Sequence, residues 1–277
     1  GTMLSRIHTI AISGIESFGV VVETNVSNRG IPRFDIVGLA NKSIEESKYR
    51  IRSALVNSNI RLLSKKITTN LAPAGKCKEG TSYDLPISVG ILCAMQNLPP
   101  LGDSLFFGEL SLGGGVRHTP GSLLVAIFAK ENNFKNIFVP VSCVNEVCSI
   151  KGLNVFGVKS LEELYGHLTQ KSILKPVRSS TFKSAPRKKS DSIITSSTEE
   201  SGVFFEDIIG QSRAKRALEI CAAGGHSLLM CGPPGVGKSL LAKSILSVLP
   251  PLTTCKAISV TKIYTALGKV APEATLM

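Results

Sequence analysis

Gly232-Pro233-Pro234-Gly235-Val236-Gly237-Lys238-Ser239 is a full match to the phosphate-binding pattern G-x-x-x-x-G-K-[ST]. Its flanks have the order that gives the pattern meaning. His226 to Cys231 (HSLLMC) is a short apolar run that reads as a buried strand. Ser239 to Leu249 (SLLAKSILSVL) spaces its apolar residues as a helix until Pro250-Pro251 stop it. In a strand, loop and helix of this kind the glycines let backbone N–H groups turn inward around a polyphosphate, and the helix N-terminus adds the positive end of its dipole. Lys238 is then placed to reach the outer phosphates, and the Ser239 hydroxyl to ligate magnesium. The plainer alternative is a glycine-rich strand-to-helix turn without a ligand, and it leaves the match at all four fixed positions unexplained.

The rest of the chain sets bounds on what surrounds this loop. Its 277 residues, 43% hydrophobic and 19% charged, suit a soluble protein of about two domains. The longest apolar run, Leu123 to Ala129, is far short of the ~18 residues a membrane helix needs. No charged-then-apolar leader opens the chain, Gly1-Thr2 ahead of Met3 reads as a cloning remnant, and a cytoplasmic setting is expected. The seven cysteines are scattered, without C-x-x-C pairs or histidines at zinc spacing, and most sit in apolar surroundings, so buried free thiols are expected. A formal charge of +12, from 32 Lys and Arg against 20 Asp and Glu, favours an acidic partner such as nucleic acid. A lysine-rich proteome would give the same balance.

Residues 3–168 read as one α/β unit. Ile7 to Ser13 and Phe18 to Val26 are β-rich, Asn28-Arg29-Gly30 is a turn, and Arg33 to Val37 resumes a strand. Ser43 with Glu46 has the form of a capping box, opening a helix whose Ile44, Ile51, Ala54 and Leu55 face inward while Lys48, Arg50 and Arg52 form a solvated basic face. A strand from Lys66 to Leu71, a loop over Ala72 to Gly80 and a buried apolar helix from Leu85 to Met95 follow. Then come a strand from Leu105 to Leu112, a glycine turn at Gly113 to Gly115 and a helix from Ser122 to Asn132. Strands at Asn136 to Val139 and Asn154 to Val158 and a short helix capped by Ser160 with Glu163 complete the unit. Residues 169–203, rich in Ser, Thr, Lys and Arg and including Arg187-Lys188-Lys189, read as a flexible basic linker. Residues 204–277 then form a second unit, with a helix from Arg213 to Ala223 closed by Gly224-Gly225 ahead of the glycine loop.

Phe205-Glu206-Asp207-Ile208-Ile209-Gly210-Gln211, a helix and the Gly232 to Ser239 loop resemble the start of an AAA+ ATPase module. Asn70-Leu71-Ala72-Pro73-Ala74, Lys78-Glu79-Gly80, Asp84-Leu85-Pro86-Ile87 and Gly108-Glu109-Leu110-Ser111-Leu112 add a resemblance, over nearly all of the ordered chain, to the magnesium-chelatase-like ATPases of the YifB or ComM family. That resemblance implies an N-terminal domain similar to the Lon peptidase domain and ribosomal S5-like units, followed by the start of a P-loop AAA+ domain. It implies ATP with Mg2+ as cofactors, Gly232 to Ser239 as their binding residues and Ser239 as the magnesium ligand. It also implies a hexameric homo-oligomer and ATP-driven branch migration of DNA during natural transformation. A metal-inserting chelatase subunit and a non-catalytic binding module are the alternatives.

The Lon likeness puts Ser82, in Lys78-Glu79-Gly80-Thr81-Ser82, at the peptidase's nucleophile position. A serine needs a base to activate it. Carrying the match forward from Gly108 to Leu112 puts Leu123 where Lon has its lysine, and Lys130 lies about two helical turns further on. Ser82 is therefore rejected as catalytic. Hydrolysis of ATP also requires a carboxylate that holds the magnesium shell and, in ring ATPases, an arginine at the neighbouring γ-phosphate. After Lys238 the only acidic side chain is Glu273, and no arginine follows Arg216. The chain is accordingly expected to be a piece of a longer protein and to be inactive alone.

Overall fold

The computed structural model describes residues 2–13, 16–60, 65–178 and 203–250, together with 252, 256, 259–261 and 263–264. They fall into two compact units, Gly1–Pro186 with Val260–Leu276, and Arg187–Ser259 with Met277. The α/β class expected from the sequence is what is found, with mixed sheet and helices in the first unit.

The first unit opens on β1 (Thr2–Ser13) and β2 (Glu16–Ser27), paired antiparallel from Thr2↔Ser27 to Ser13↔Glu16. β3 (Arg33–Val37), α1 (Lys42–Asn57), β4 (Lys66–Ala72) and α2 (Asp84–Gln96) follow. The chain continues through β5 (Ser104–Phe106), β6 (Glu109–Leu110), β7 (Val116–Arg117), α3 (Ser122–Glu131) and β8 (Asn136–Pro140). It ends with α4 (Val144–Val147), β9 (Asn154–Val158), α5 (Leu161–Leu168) and β10 (Val177–Arg178). Eight strands make one sheet in the order β10-β9-β8-β5-β1-β2-β4-β3, and β6 with β7 forms a separate ribbon.

β2 buries Val20, Val22, Thr24 and Val26 on one face, the period-two pattern of a half-covered strand. The cover is α2, uncharged after Asp84 and buried along nearly its whole length. Gly90 lets it sit close, because a Cβ there would lie 2.7 Å from the Thr24 hydroxyl, while Ser5 Oγ donates to the Gly90 carbonyl at 2.7 Å. On the parallel half, Phe106, Phe138 and Phe156 hold equivalent places on β5, β8 and β9 and stack at 4.5 and 4.6 Å between ring centres.

Several expectations for the first unit need correction. The strand foreseen from Leu105 to Leu112 breaks into β5 and β6. At the break Gly108 is claimed by α2 and the loop before it: Leu85 N–H donates to its carbonyl at 3.0 Å, and its own N–H donates to Ser82 O at 3.1 Å, so its backbone cannot continue the ladder. α1 is capped by Asn41, whose Oδ1 accepts from Ile44 N–H at 3.2 Å, and not by Ser43, which donates to that same oxygen. Arg50 leaves the solvated face to pair with Asp84. The sequence also gave no sign of α4 or of β10, which lies in residues 169–203 and pairs antiparallel with β9. Most of that stretch, Arg187-Lys188-Lys189 included, is outside the described residues.

The second unit holds a 3-10 turn at Phe205–Asp207, α6 (Ser212–Gly224), α7 (Lys238–Ser244) and a further 3-10 turn at Ile245–Ser247. Its small core joins Ile208, Leu218 and Leu241, with Val203, Phe205, Ala214, Met230 and Ile245 against them. The helix foreseen from Ser239 to Leu249 is thus shorter, and starts one residue earlier. His226 to Cys231 forms no strand, and Leu229 is 86% exposed. A strand of a parallel sheet takes its ladder and the burial of both faces from neighbours, and none occurs among the described residues of this unit.

Candidate functional site

The glycine loop stands at the N-terminus of α7. Gly235 and Gly237 have φ of 86° and 87°, the left-handed region where a side chain is strained. A Cβ on either would meet nothing within 4 Å, so conformation rather than crowding requires glycine there. Among the described residues, the N–H groups of Gly235 to Ser239 donate to no acceptor. They form an exposed row of donors at a helix start, which is the arrangement that takes an anion. Lys238 Nζ turns back on its own loop and donates to the carbonyls of Gly232 and Pro233, both at 2.7 Å. Ser239 is exposed beside it. The eight residues foreseen, Gly232, Pro233, Pro234, Gly235, Val236, Gly237, Lys238 and Ser239, thus form the loop and the first turn of α7.

The D-I-I-G-Q segment reaches this loop: Ile208 is buried in the small core, and Gln211 Nε2 donates to Val236 O at 3.5 Å. Lys215 secures the segment from α6, donating to Ile208 O with its ammonium 5.3 Å from the Phe205 ring centre. Ile209, by contrast, is 95% exposed.

Ser82 lines a cavity of about 310 Å3 in the first unit, with Glu79, Thr81, Phe107, Thr119 and Leu124. No lysine or histidine lines it. Leu123 is buried in α3, and Lys130 is exposed near that helix's end. The one titratable side chain lining the cavity with Ser82 is the Glu79 carboxylate.

Two clusters went unforeseen. Asp84, fully buried, accepts from Arg50 Nε at 2.7 Å and a second guanidinium nitrogen at 3.1 Å, and from Leu110 N–H at 3.1 Å. Burial pushes its carboxyl up, opposed by the bonds from Arg50; Arg50 is itself raised by the bond to Asp84. A lone carboxylate heading an otherwise uncharged helix was the available signal. The second cluster gathers at the start of α3: burial lifts the Glu146 carboxyl to about 7, with the Leu123 N–H pulling the other way. Nearby, Cys143 Sγ lies 3.2 Å from His118 Nδ1, and burial pushes the thiol up. Nothing in the spacing of these residues announces their meeting. Lys78 is fully buried too, donating to the carbonyls of Gly38 and Pro73, and burial lowers its ammonium. The expected buried thiols are found at Cys93, Cys143, Cys148 and Cys221, whereas Cys77 and Cys231 are exposed. Cys255 lies outside the described residues.

Comparison with known proteins matches residues 22–142 to the family described as subunit ChlI of Mg-chelatase, and residues 204–277 to magnesium chelatase, subunit ChlI. The uncharacterized protein YifB of Salmonella typhimurium is 37% identical over 257 residues, 92% of this chain and 48% of YifB. The competence protein ComM of Haemophilus influenzae is 36% identical over 257 residues, with the same shares. The DNA repair protein RadA of Escherichia coli is 26% identical over 134 residues, 48% of this chain and 28% of RadA. The chain spans about half the length of YifB and ComM. With a ChlI match on each unit and both units aligned to YifB and ComM, the chain belongs to the magnesium-chelatase-like family of those two proteins.

Proposed function

We propose that this chain is the ATP-binding portion of an AAA+ ATPase that, as a full-length homo-oligomer, is a cytoplasmic motor remodelling branched DNA. The observation that supports it best is the exposed loop from Gly232 to Ser239, with its left-handed glycines and undirected N–H donors. Magnesium–ATP, when bound, supplies the phosphoanhydride bond whose cleavage drives such a motor. The N–H groups of Gly235 to Ser239 would cradle the phosphates, and Ser239 Oγ would hold the magnesium ion. Lys238 would exchange the two carbonyls it now binds for phosphate oxygens, trading neutral acceptors for charged and stronger ones. The residues fit the ligand. The basic balance of the chain and the printed names of ComM and RadA support DNA as the partner. Metal insertion, which the family description suggests, is the second reading.

Titration with a fluorescent ATP analogue in magnesium tests the site. Lys238→Ala should weaken binding by at least about tenfold, the equivalent of about 1.4 kcal/mol. The same chain, with Glu273 as its one carboxylate side chain after Lys238 and no arginine after Arg216, should bind without turnover, and Lys238-dependent hydrolysis would contradict that expectation. A gel shift with branched DNA should fade steeply as salt rises. Absence of a shift even at low salt would count against the DNA reading.

A further inference from the structure

β3 ends the eight-stranded sheet, and among the described residues nothing pairs with its outer edge. Such an edge presents a row of unpaired backbone donors and acceptors to any strand that approaches. Natural edges are guarded by charges that repel a second strand. The charges here do the opposite. Arg33 and Asp35 point the same way from the strand, paired within the chain at 2.7 Å, with Arg33 71% exposed. On either side stand Ile31, 85% exposed, and Val37, 46% exposed. Within β3, Arg33, Asp35 and Val37 alternate with Phe34 and Ile36, which turn toward the core, and Ile31 sits in the bend just before the strand, across Pro32.

We propose that this edge pairs with the β3 edge of a second copy of the chain, antiparallel about a two-fold axis through Phe34. A two-fold pairing reverses strand order, so residue numbers facing each other have a constant sum. Centred on Phe34, that sum places Arg33 opposite Asp35 of the second copy and Asp35 opposite its Arg33. It also places Ile31 opposite Val37 of the second copy and Val37 opposite its Ile31. Each side chain of the row, the half-buried Asp35 included, then meets a complement, basic with acidic and apolar with apolar. Cross-strand neighbours of this kind stabilise antiparallel pairs, and like charges placed opposite one another destabilise them. A shift of one residue in register would set Arg33 against Phe34 and break all four matches, so the sequence specifies one register. The surface would join copies through the first unit, independently of any association through the ATPase units.

The test exploits a difference between pairing within and between chains. Arg33→Asp leaves two acidic residues on the edge, and Asp35→Arg leaves two basic ones. Sedimentation of the full chain should show reversible self-association in the parent, weakened about tenfold or more in each variant alone. An equimolar mixture of the two variants should recover the parental association, because every cross-strand pair in the mixed dimer is again of opposite sign. Within each variant chain the residue 33–35 pair stays like-charged, so a merely intramolecular role for the ion pair predicts no recovery. A parent chain that remains monomeric, variants that associate as the parent does, or a mixture without recovery would each overturn the proposal.

Discussion

The two units differ most where they would be expected to agree. The first unit carries a closed core: α2 is sealed against β1 and β2, three phenylalanines stack across β5, β8 and β9, and every buried charge among the described residues lies in it. The second unit carries the most specific motif in the sequence but a small core cluster built on Ile208, Leu218 and Leu241, with Leu229 and Ile209 left in the open. Specific chemistry and dense packing are separate properties. A phosphate loop needs only a local turn with the right φ angles and a helix start, and eight consecutive residues can encode that. A core needs partners drawn from distant parts of the chain.

That contrast can be broken by experiment, and native-state hydrogen exchange reads the units separately. Asp84→Ala should have the largest effect. It strands Arg50 and takes the acceptor from Leu110 N–H, and should lower the opening free energy of the first unit by about 3–5 kcal/mol. Exchange in the second unit should stay unchanged. Loss of less than about 1 kcal/mol would mean that the buried pair does not organise the unit.

Glu146 gives the next test. Its folded carboxyl titrates near 7, against an ordinary value of 4.5, so between those values the folded state holds more protons than the unfolded one. Stability of the first unit should therefore be full below about pH 4.5, fall as pH rises toward 7, and level off above it. Glu146→Gln should remove that slope and stabilise the unit above pH 7 by at most about 3 kcal/mol. A variant that keeps the parental slope would place the titration elsewhere.

The smallest expected effect is a difference between two similar substitutions. Leu92→Ala in α2 should cost about 4 kcal/mol and Leu241→Ala in α7 about 2 kcal/mol, because a cavity costs more where surrounding atoms cannot collapse into it. Equal costs would show the second core to be as tightly knit as the first.

The sequence was most legible where structure is local. The glycine loop, the turn before β3, the helical faces of α1 and the Ser160 cap of α5, whose Oγ accepts from Glu163 N–H, all follow from residues a few positions apart. It misled where a neighbour decides. Gly108 leaves the sheet because Leu85 of α2 and Ser82 in the loop before it take both its backbone groups, and Arg50 turns inward because Asp84, distant in sequence, waits there without a charge partner of its own. His226 to Cys231 has the composition of a strand, yet a strand exists only with a ladder beside it.

By itself, then, the sequence determined the family and the phosphate loop, since both rest on residue identity at short, fixed spacing. The tertiary structure alone decided the Asp84 network, the proton held near neutrality at Glu146, and the placing of β3 at the end of the eight-stranded sheet. Each of these depends on which remote groups share a low-dielectric interior, or on which strand lacks a neighbour, and neither is written in any one stretch of chain.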